Sequence, residues 1–283
     1  MSRAADSAST TSSVLRNKTP KERGVRSDVA ATKTFSVLGV PVNAVQIPEV
    51  IARMTEWIGR RNDGHYIAVT GMHGVIEARH DANFKRVLAD ADLVVPDGMP
   101  LVWISRLRGE ALRRRVYGPE LMLTFCKETA AAGCRHFLYG GEPGVPEQLA
   151  RFLEKSCVGI RIVGTYSPPF RSATPEEDVV TMAMINRAAP DVLWVGLSTP
   201  KQETWMHQHR SELRVPVMVG VGAAFDFLSS RKKQAPAWMR ENGLEWLFRL
   251  LQEPRRLWKR YLVNGSEFAF LAALDLLGLR RFD

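Results

Sequence analysis

Asp97 is the residue of this 283-residue chain best placed to move a proton. It follows the apolar run Leu93-Val94-Val95-Pro96 directly, so its carboxylate should project from a strand end into a cleft. Pro96 biases Val95 towards an extended conformation, and Gly98 leaves room beside the carboxylate. A general base needs this rigid placement within reach of the proton it removes. An Asp-Gly turn or a helix cap would use the same residues. Arg113-Arg114-Arg115 is expected about one loop downstream. A charge run is usually a solvated face, but at an active edge one arginine meets a departing phosphate. Ser198-Thr199-Pro200-Lys201-Gln202-Glu203 follows an apolar run and opens a helix, with Lys201 and Gln202 expected towards the cleft. Plain capping chemistry would look the same.

Other chemical motifs are weaker. Asp90-Ala91-Asp92 has the Asp-x-Asp spacing that holds a metal on nucleotide sugars, but it precedes its strand and reads as helix-end and loop acidity. His207 and His209 are two apart on a helix and do not share a face. No acidic or cysteine cluster completes a zinc set, so neither a metal nor a cofactor is expected. Gly220-Val221-Gly222-Ala223-Ala224-Phe225 imitates a dinucleotide fingerprint, but Phe225 stands where the third glycine belongs and the run comes late in the chain. A nicotinamide dehydrogenase is therefore a weak third reading.

The elements that must position these residues begin at about residue 35. Apolar runs at Tyr66–Thr70, Asp92–Pro96, His136–Gly140, Arg161–Thr165, Val192–Gly196 and Val217–Val221 predict strands. Stretches of 3.6-residue periodicity lie between them, at Pro119–Ala132, Val145–Lys155 and Glu176–Ala188. A shorter unit, Phe35–Ile47 followed by a helix to about Arg61, opens the domain. Near-continuous apolar strands separated by helices imply an α/β fold, Rossmann-like and doubly wound, with a mostly parallel sheet. In such sheets ligands bind outside the carboxyl ends of the strands. Those ends read Thr70-Gly71, Asp97-Gly98, Gly140-Gly141, Gly164-Thr165, Gly196 and Gly220-Val221-Gly222. Glycine lets the backbone approach a ligand, and a following helix offers N–H groups to phosphate. Together these ends favour a phosphate-bearing ligand.

Charge is concentrated at the two ends of the chain. Residues 1–34 carry seven Lys/Arg against three Asp/Glu, and residues 231–283 carry eleven against six, while the middle is neutral. The three cysteines Cys126, Cys134 and Cys157 make no disulfide framework, which points to a reducing compartment. The longest apolar stretch, Phe268 to Leu279, contains Asp275 and is too short to span a bilayer. The first residues lack a signal-peptide core and read as a disordered Ser- and Arg-rich tail. In the last 50 residues Trp238, Trp246, Trp258 and Tyr261 are interleaved with Arg240, Arg249, Arg255, Arg256, Lys259 and Arg260, and Pro254 should break the helix. A membrane interface, an RNA or packing as a C-terminal helical lid would each suit that pattern. A nucleotide-binding module without catalysis is thus the rival to an enzyme.

The ordered motifs resemble one family. They are the strand ending in Thr70, V-V-P-D-G at 94–98, Arg115-Val116-x-Gly118 and F-L-Y-G-G-E-P-G-V at 137–145. G-L-S-T-P-K-Q-E at 196–203, V-G-V-G-A-A-F-D-F at 219–227 and G-L-E-W-L-F-R-L-L-Q-E-P-R-R-L-W-K-R-Y at 243–261 complete them. Over about residues 35–265 the chain is similar to the WecG/TagA/CpsF bacterial glycosyltransferases, glycosyltransferase family 26. The resemblance implies inverting, metal-independent transfer from a UDP-sugar to a polyprenyl-diphosphate-linked saccharide at the inner face of the membrane, and a capacity for self-association. It implies Asp97 as base, with Thr70 and Arg115 as partners, and no nucleic-acid partner. Gly140, Gly141, Lys201, Gln202 and Gly222 are expected to bind substrate. Arg249, Arg255, Arg256 and Arg260 are expected to complete the site beside an anionic membrane. Many family members carry Thr-x-Asn after the first core strand, whereas Met72 stands at the Asn position here. The Thr-Gly-Met-His form is similar to exopolysaccharide glucosyltransferases of the family. The expected organisation is a basic tail over 1–34, a catalytic domain over 35–236 and a membrane-docking C-terminal amphipathic helical appendage over 237–283.

Overall fold

In the computed structural model the described residues are 32–61, 64–110 and 112–282. The tail expected over 1–34 lies outside them up to residue 31, and Thr34 already opens the first strand. The strands are β1 (Thr34–Val37), β2 (Val40–Asn43), β3 (His65–Thr70), β4 (Leu93–Pro96), β5 (Arg135–Gly140), β6 (Arg161–Tyr166), β7 (Val192–Gly196) and β8 (Val217–Gly220). The first helices are α1 (Ile47–Arg60), α2 (Met72–His80), α3 (Ala82–Ala89), α4 (Met99–Leu107), α5 (Gly118–Thr129), α6 (Val145–Ser156) and α7 (Pro175–Ala188). After them come α8 (Lys201–His209), α9 (Ala224–Leu228), α10 (Ala237–Glu241), α11 (Glu245–Gln252) and α12 (Pro254–Trp258). A π-helical turn over Lys259–Val263 leads into α13 (Asn264–Leu276).

Six strands form one parallel sheet in the order β4-β3-β8-β7-β5-β6. Alternate side chains of these apolar strands face opposite sides, and both sides are covered. Ile67, Val69, Val95, Leu138, Trp194 and Val219 share a core with residues of α1, α5 and α6. On the other face Ala68 and Val94 join α2, α3 and α4, while Tyr66, Phe137 and Leu193 join α7 and α8. The doubly wound parallel sheet expected from the apolar runs is the fold observed.

Three local features differ from the sequence reading. The unit read as Phe35–Ile47 is an antiparallel hairpin of β1 and β2 ending at Asn43, closed by Leu38 and Gly39, both at positive φ as a tight two-residue turn requires, with Ile47 already in α1. α2 and α4 were not anticipated. α4 stands between Asp97 and Arg115, so the arginine run is not one loop downstream of the carboxylate. Pro100 sits in its first turn, where a missing N–H costs nothing, and apolar residues carry it into the core. At the other end of the chain Pro254 separates α11 from α12, as expected. Phe268, Leu271 and Ala272 of α13 are buried against the core shared by α2, α3 and α4. No helix among the described residues is long and apolar enough to cross a membrane.

Candidate active site

The carboxyl ends of the strands open into a cavity of about 790 Å³. Asp97 lies on its wall immediately after β4. Its N–H donates to the Thr70 carbonyl at 2.7 Å, continuing the β3–β4 ladder past Pro96. That ladder fixes the direction of the side chain. Gly71 makes the approach possible, because a Cβ there would stand 2.4 Å from the Asp97 carbonyl oxygen. The Asp97 carboxylate is about one-third exposed (32%), yet its Oδ1 is buried and accepts no hydrogen bond. Thr70 Oγ1 is also buried without a partner.

Arg115 lies beside this pair, its Nη1 3.7 Å from Asp97 Oδ1 and its Nη2 bonded to Glu245. The Tyr117 ring packs against its guanidinium at 4.2 Å from the centroid. Burial pushes the Asp97 carboxyl up; Arg115 opposes the rise, Glu245 adds to it, and the pKa settles at about 6. A base poised near neutrality is what proton abstraction needs. Burial works against the charge of Arg115, but Asp97 and Glu245 outweigh it and hold the pKa above the usual arginine value.

The opposite wall is built by α8. Gln202 is buried; its Oε1 accepts the Gly222 N–H at 3.0 Å and its Nε2 donates to Glu203 at 2.9 Å. Thr199 Oγ1 donates to the same Glu203 oxygen at 2.8 Å. The Glu203 carboxylate, fully buried, therefore sets which way the Gln202 amide faces. Burial raises the Glu203 pKa, against those two hydrogen bonds. Lys201 lines the cavity 5.9 Å from the Phe170 ring centroid. Gly141 and Gly222 line it too, but the Gly141 N–H is bonded to the Gly196 carbonyl and that of Gly222 to Gln202. Neither offers the free N–H expected for phosphate. Gly140 sits behind the wall, where a Cβ would come within 2.6 Å of Gly196 backbone. It serves close strand packing.

The C-terminal helices close the cavity. Arg249, Arg256 and Arg260 line it, whereas Arg255 is exposed and outside it. Arg256 Nε donates to Glu253 at 3.1 Å. Arg260 Nε is buried without a partner, and burial, reinforced by Arg249 and Arg256, lowers its pKa despite Tyr261 and Asp97. His73 is held neutral, its pKa brought down to about 3 by burial and by Arg260. Met72 packs instead against the helical core near Gly265 and does not line the cavity.

Asp90 and Asp92 lie at the far edge of the sheet, as read from sequence. Asp92 accepts from His65, Arg210 and the Tyr66 N–H, and Asp90 pairs with His207 at 3.0 Å. Among the described residues no group of three or more His, Cys, Asp or Glu is placed to hold a metal ion. Sequence reasoning did not single out Tyr117, Glu203 or Glu245. Each is a commonplace helix-start residue in the sequence, and only the acidic residue directly after Gln202 offered a signal.

The description "Glycosyl transferase WecG/TagA/CpsF family" matches residues 35–282. A protein of Bacillus spizizenii (strain W23) is 30% identical over 229 residues, covering 78% of this chain and 86% of its own length. One from Bacillus subtilis (strain 168) is 31% identical over 199 residues, 70% of this chain and 75% of its own. Both are named N-acetylglucosaminyldiphosphoundecaprenol N-acetyl-beta-D-mannosaminyltransferase. With the sheet, the cleft and these matches in hand, the chain belongs to the WecG/TagA/CpsF family and is a glycosyltransferase.

Proposed function

We propose that this glycosyltransferase moves a sugar from a UDP-sugar onto a polyprenyl-diphosphate-linked saccharide, with inversion and without a metal, in exopolysaccharide or cell-surface polysaccharide assembly. The observation that carries the reading is Asp97, with a pKa of about 6, on a cavity wall that also presents Arg249, Arg256 and Arg260. Asp97 takes the proton of an acceptor hydroxyl as that oxygen attacks the anomeric carbon. The bond from that carbon to the diphosphate breaks on the opposite side, and UDP leaves with the electron pair. Its new negative charge is met by the arginines, which act strongly in a partly water-excluded site. Thr70 is fully buried behind the cavity wall with its hydroxyl towards Gly74 of α2, so its part is to support Asp97, whose N–H its carbonyl accepts. Gln202 and Lys201 would contact the donor from the opposite wall.

An acceptor carried on a polyprenyl chain stays in the bilayer. Trp238, Trp246, Leu251, Trp258 and Leu262 are exposed on the C-terminal helices together with Arg255 and Lys259, a composition suited to a peripheral anionic surface. We propose that the enzyme docks at the inner face of the membrane, whose anionic lipid such a surface suits. The test is transfer from a panel of UDP-sugars to lipid-linked diphosphate acceptors on vesicles, with and without EDTA. Turnover that survives the chelator and disappears in Asp97→Asn supports the reading. Full turnover by a folded Asp97→Asn enzyme overturns the base, and loss of turnover on chelation overturns metal independence.

A further inference from the structure

A second cavity, also of about 790 Å³, lies between α4, the segment leading into α5, and α10. Tyr117 and Pro119 line both cavities, and Arg115, which approaches Asp97, lines the second. Five arginines (Arg106, Arg113, Arg114, Arg115 and Arg240) line it against two acids, Glu120 and Glu241. We propose that this cavity binds the diphosphate of the lipid-linked acceptor. The inference rests on the acceptor class proposed above.

The arginines divide their work. Arg106 is committed to the fold, donating from Nε to the Leu112 carbonyl at 2.9 Å and from Nη2 to the Arg113 carbonyl at 2.8 Å. It thereby fixes the backbone from which Arg113 and Arg114 project. Arg114 has only long contacts, 3.7 Å to Glu120 and 3.8 Å to Glu241, and the Arg113 guanidinium has no partner among the described residues. Arg240 Nε is buried and unpartnered, with its guanidinium 5.5 Å from the Tyr117 ring centroid. Guanidinium groups left unsatisfied around a cavity suit a ligand with several strong acceptor oxygens, and a diphosphate matches their planar fork.

The rest of the lining is apolar. Trp103, Met99, Leu123 and Leu228 offer surface to the first isoprene unit. Trp103 is half exposed (46%) and held by Gly243, where a Cβ would stand 3.0 Å from the ring. The order along the acceptor then follows from its covalent structure. The sugar lies beside Arg115 and Tyr117 with a hydroxyl at Asp97, its diphosphate lies on Arg113, Arg114 and Arg240, and the chain leaves past Trp103.

The test uses the full chain and farnesyl diphosphate as a soluble probe, with binding read by calorimetry in the absence of donor. Arg113→Ala/Arg114→Ala and Arg240→Ala should each weaken farnesyl diphosphate binding roughly tenfold or more. KM for a lipid-diphosphate acceptor should rise in parallel, while affinity for UDP changes less than twofold. Arg240→Lys should recover part of the binding, which a merely misfolded Arg240→Ala would not explain. Unchanged farnesyl diphosphate binding in both variants overturns the proposal, as does an equal loss of UDP binding. If wild-type protein turns over no acceptor yet binds farnesyl diphosphate through these arginines, the transferase reading on this acceptor fails and the diphosphate site stands.

Discussion

Strand β4 carries an aspartate at each end, and the two are handled in opposite ways. Asp92, just before it, is surrounded by donors: His65 Nδ1 at 3.0 Å, Arg210 Nη2 at 3.0 Å and the Tyr66 N–H at 3.1 Å. Burial pushes its pKa up, but these partners outweigh burial and hold it below the usual carboxylate value. Asp97, just after β4, has an unbonded buried oxygen and one arginine at 3.7 Å, and its pKa rises to about 6. One carboxylate ties loops together and the other is kept ready to accept a proton. Asp92 is satisfied and Asp97 is not. A buried carboxylate left without donors costs stability and marks a place where chemistry can be done.

The largest test of that contrast is Asp97→Asn. It should lower the transfer rate by roughly 10²–10⁴, the worth of a general base, while leaving the circular dichroism spectrum unchanged. Because the folded-state pKa of Asp97 is raised from 3.8 to about 6, its contribution to stability is full below the unfolded value and is lost as pH rises through the folded one. Asp97→Asn should therefore melt no lower than wild type at pH 7.5. A marked drop in Tm would show that Asp97 is a structural residue like Asp92.

Asp92→Asn should do the reverse. Losing charge-assisted hydrogen bonds should cost about 1–3 kcal/mol of stability in urea titration, with kcat of the folded protein unaltered. The linkage sign is opposite as well. Asp92 stabilises the fold above the unfolded carboxylate pKa and loses that effect as pH falls through its lowered value. An Asp92→Asn enzyme as stable as wild type would remove the structural half of the comparison.

The pH profile sharpens the functional half. Since the base acts ionised, kcat/KM should rise through about pH 6 and level off above it. One pH unit below that value it should stand roughly tenfold lower than on the plateau. Arg115→Ala should move the midpoint upward, because the Coulombic support of the carboxylate is gone and Glu245 remains. A midpoint unmoved by that change would detach Arg115 from Asp97. The smallest effect expected is at Arg255, exposed beyond the cavity. Arg255→Ala should weaken binding to anionic vesicles by about 1 kcal/mol, most visibly at low salt, with transfer to a soluble acceptor analogue unchanged. Unaltered vesicle binding would exclude Arg255 from the docking surface.

The sequence makes the functional edge legible where the backbone dictates it. The β-branched pair in Leu93-Val94-Val95-Pro96 and the proline that ends it favour a strand with Asp97 at its end. The parallel sheet was readable for the same reason, since buried strands lack polar interruptions. Less local features were hidden. Met99-Pro100-Leu101-Val102-Trp103 packs as α4, but so short an apolar run does not declare helix or strand. Gly141 and Gly222 looked like phosphate cradles, yet whether an N–H is free depends on a partner far away in the chain, Gly196 in one case and Gln202 in the other. Glu245 was invisible because acidity in a first helical turn needs no ion-pair partner to explain it.

The strand order also governs when the cleft can exist. β8, the last strand made, lies between β3 and β7 near the middle of the sheet. Until residues 217–220 leave the ribosome, β3 and β7 each present an open hydrogen-bonding edge, and Gln202 lacks the Gly222 N–H that orients it. The nascent chain thus carries β3 with one open edge from residue 70 until residue 217, and β7 joins it only over the last stretch before β8; such exposed edges invite misassembly. Closure by β8 joins the β3–β4 half to the β7-β5-β6 half in one late event, so folding of the sheet and creation of the catalytic cleft coincide.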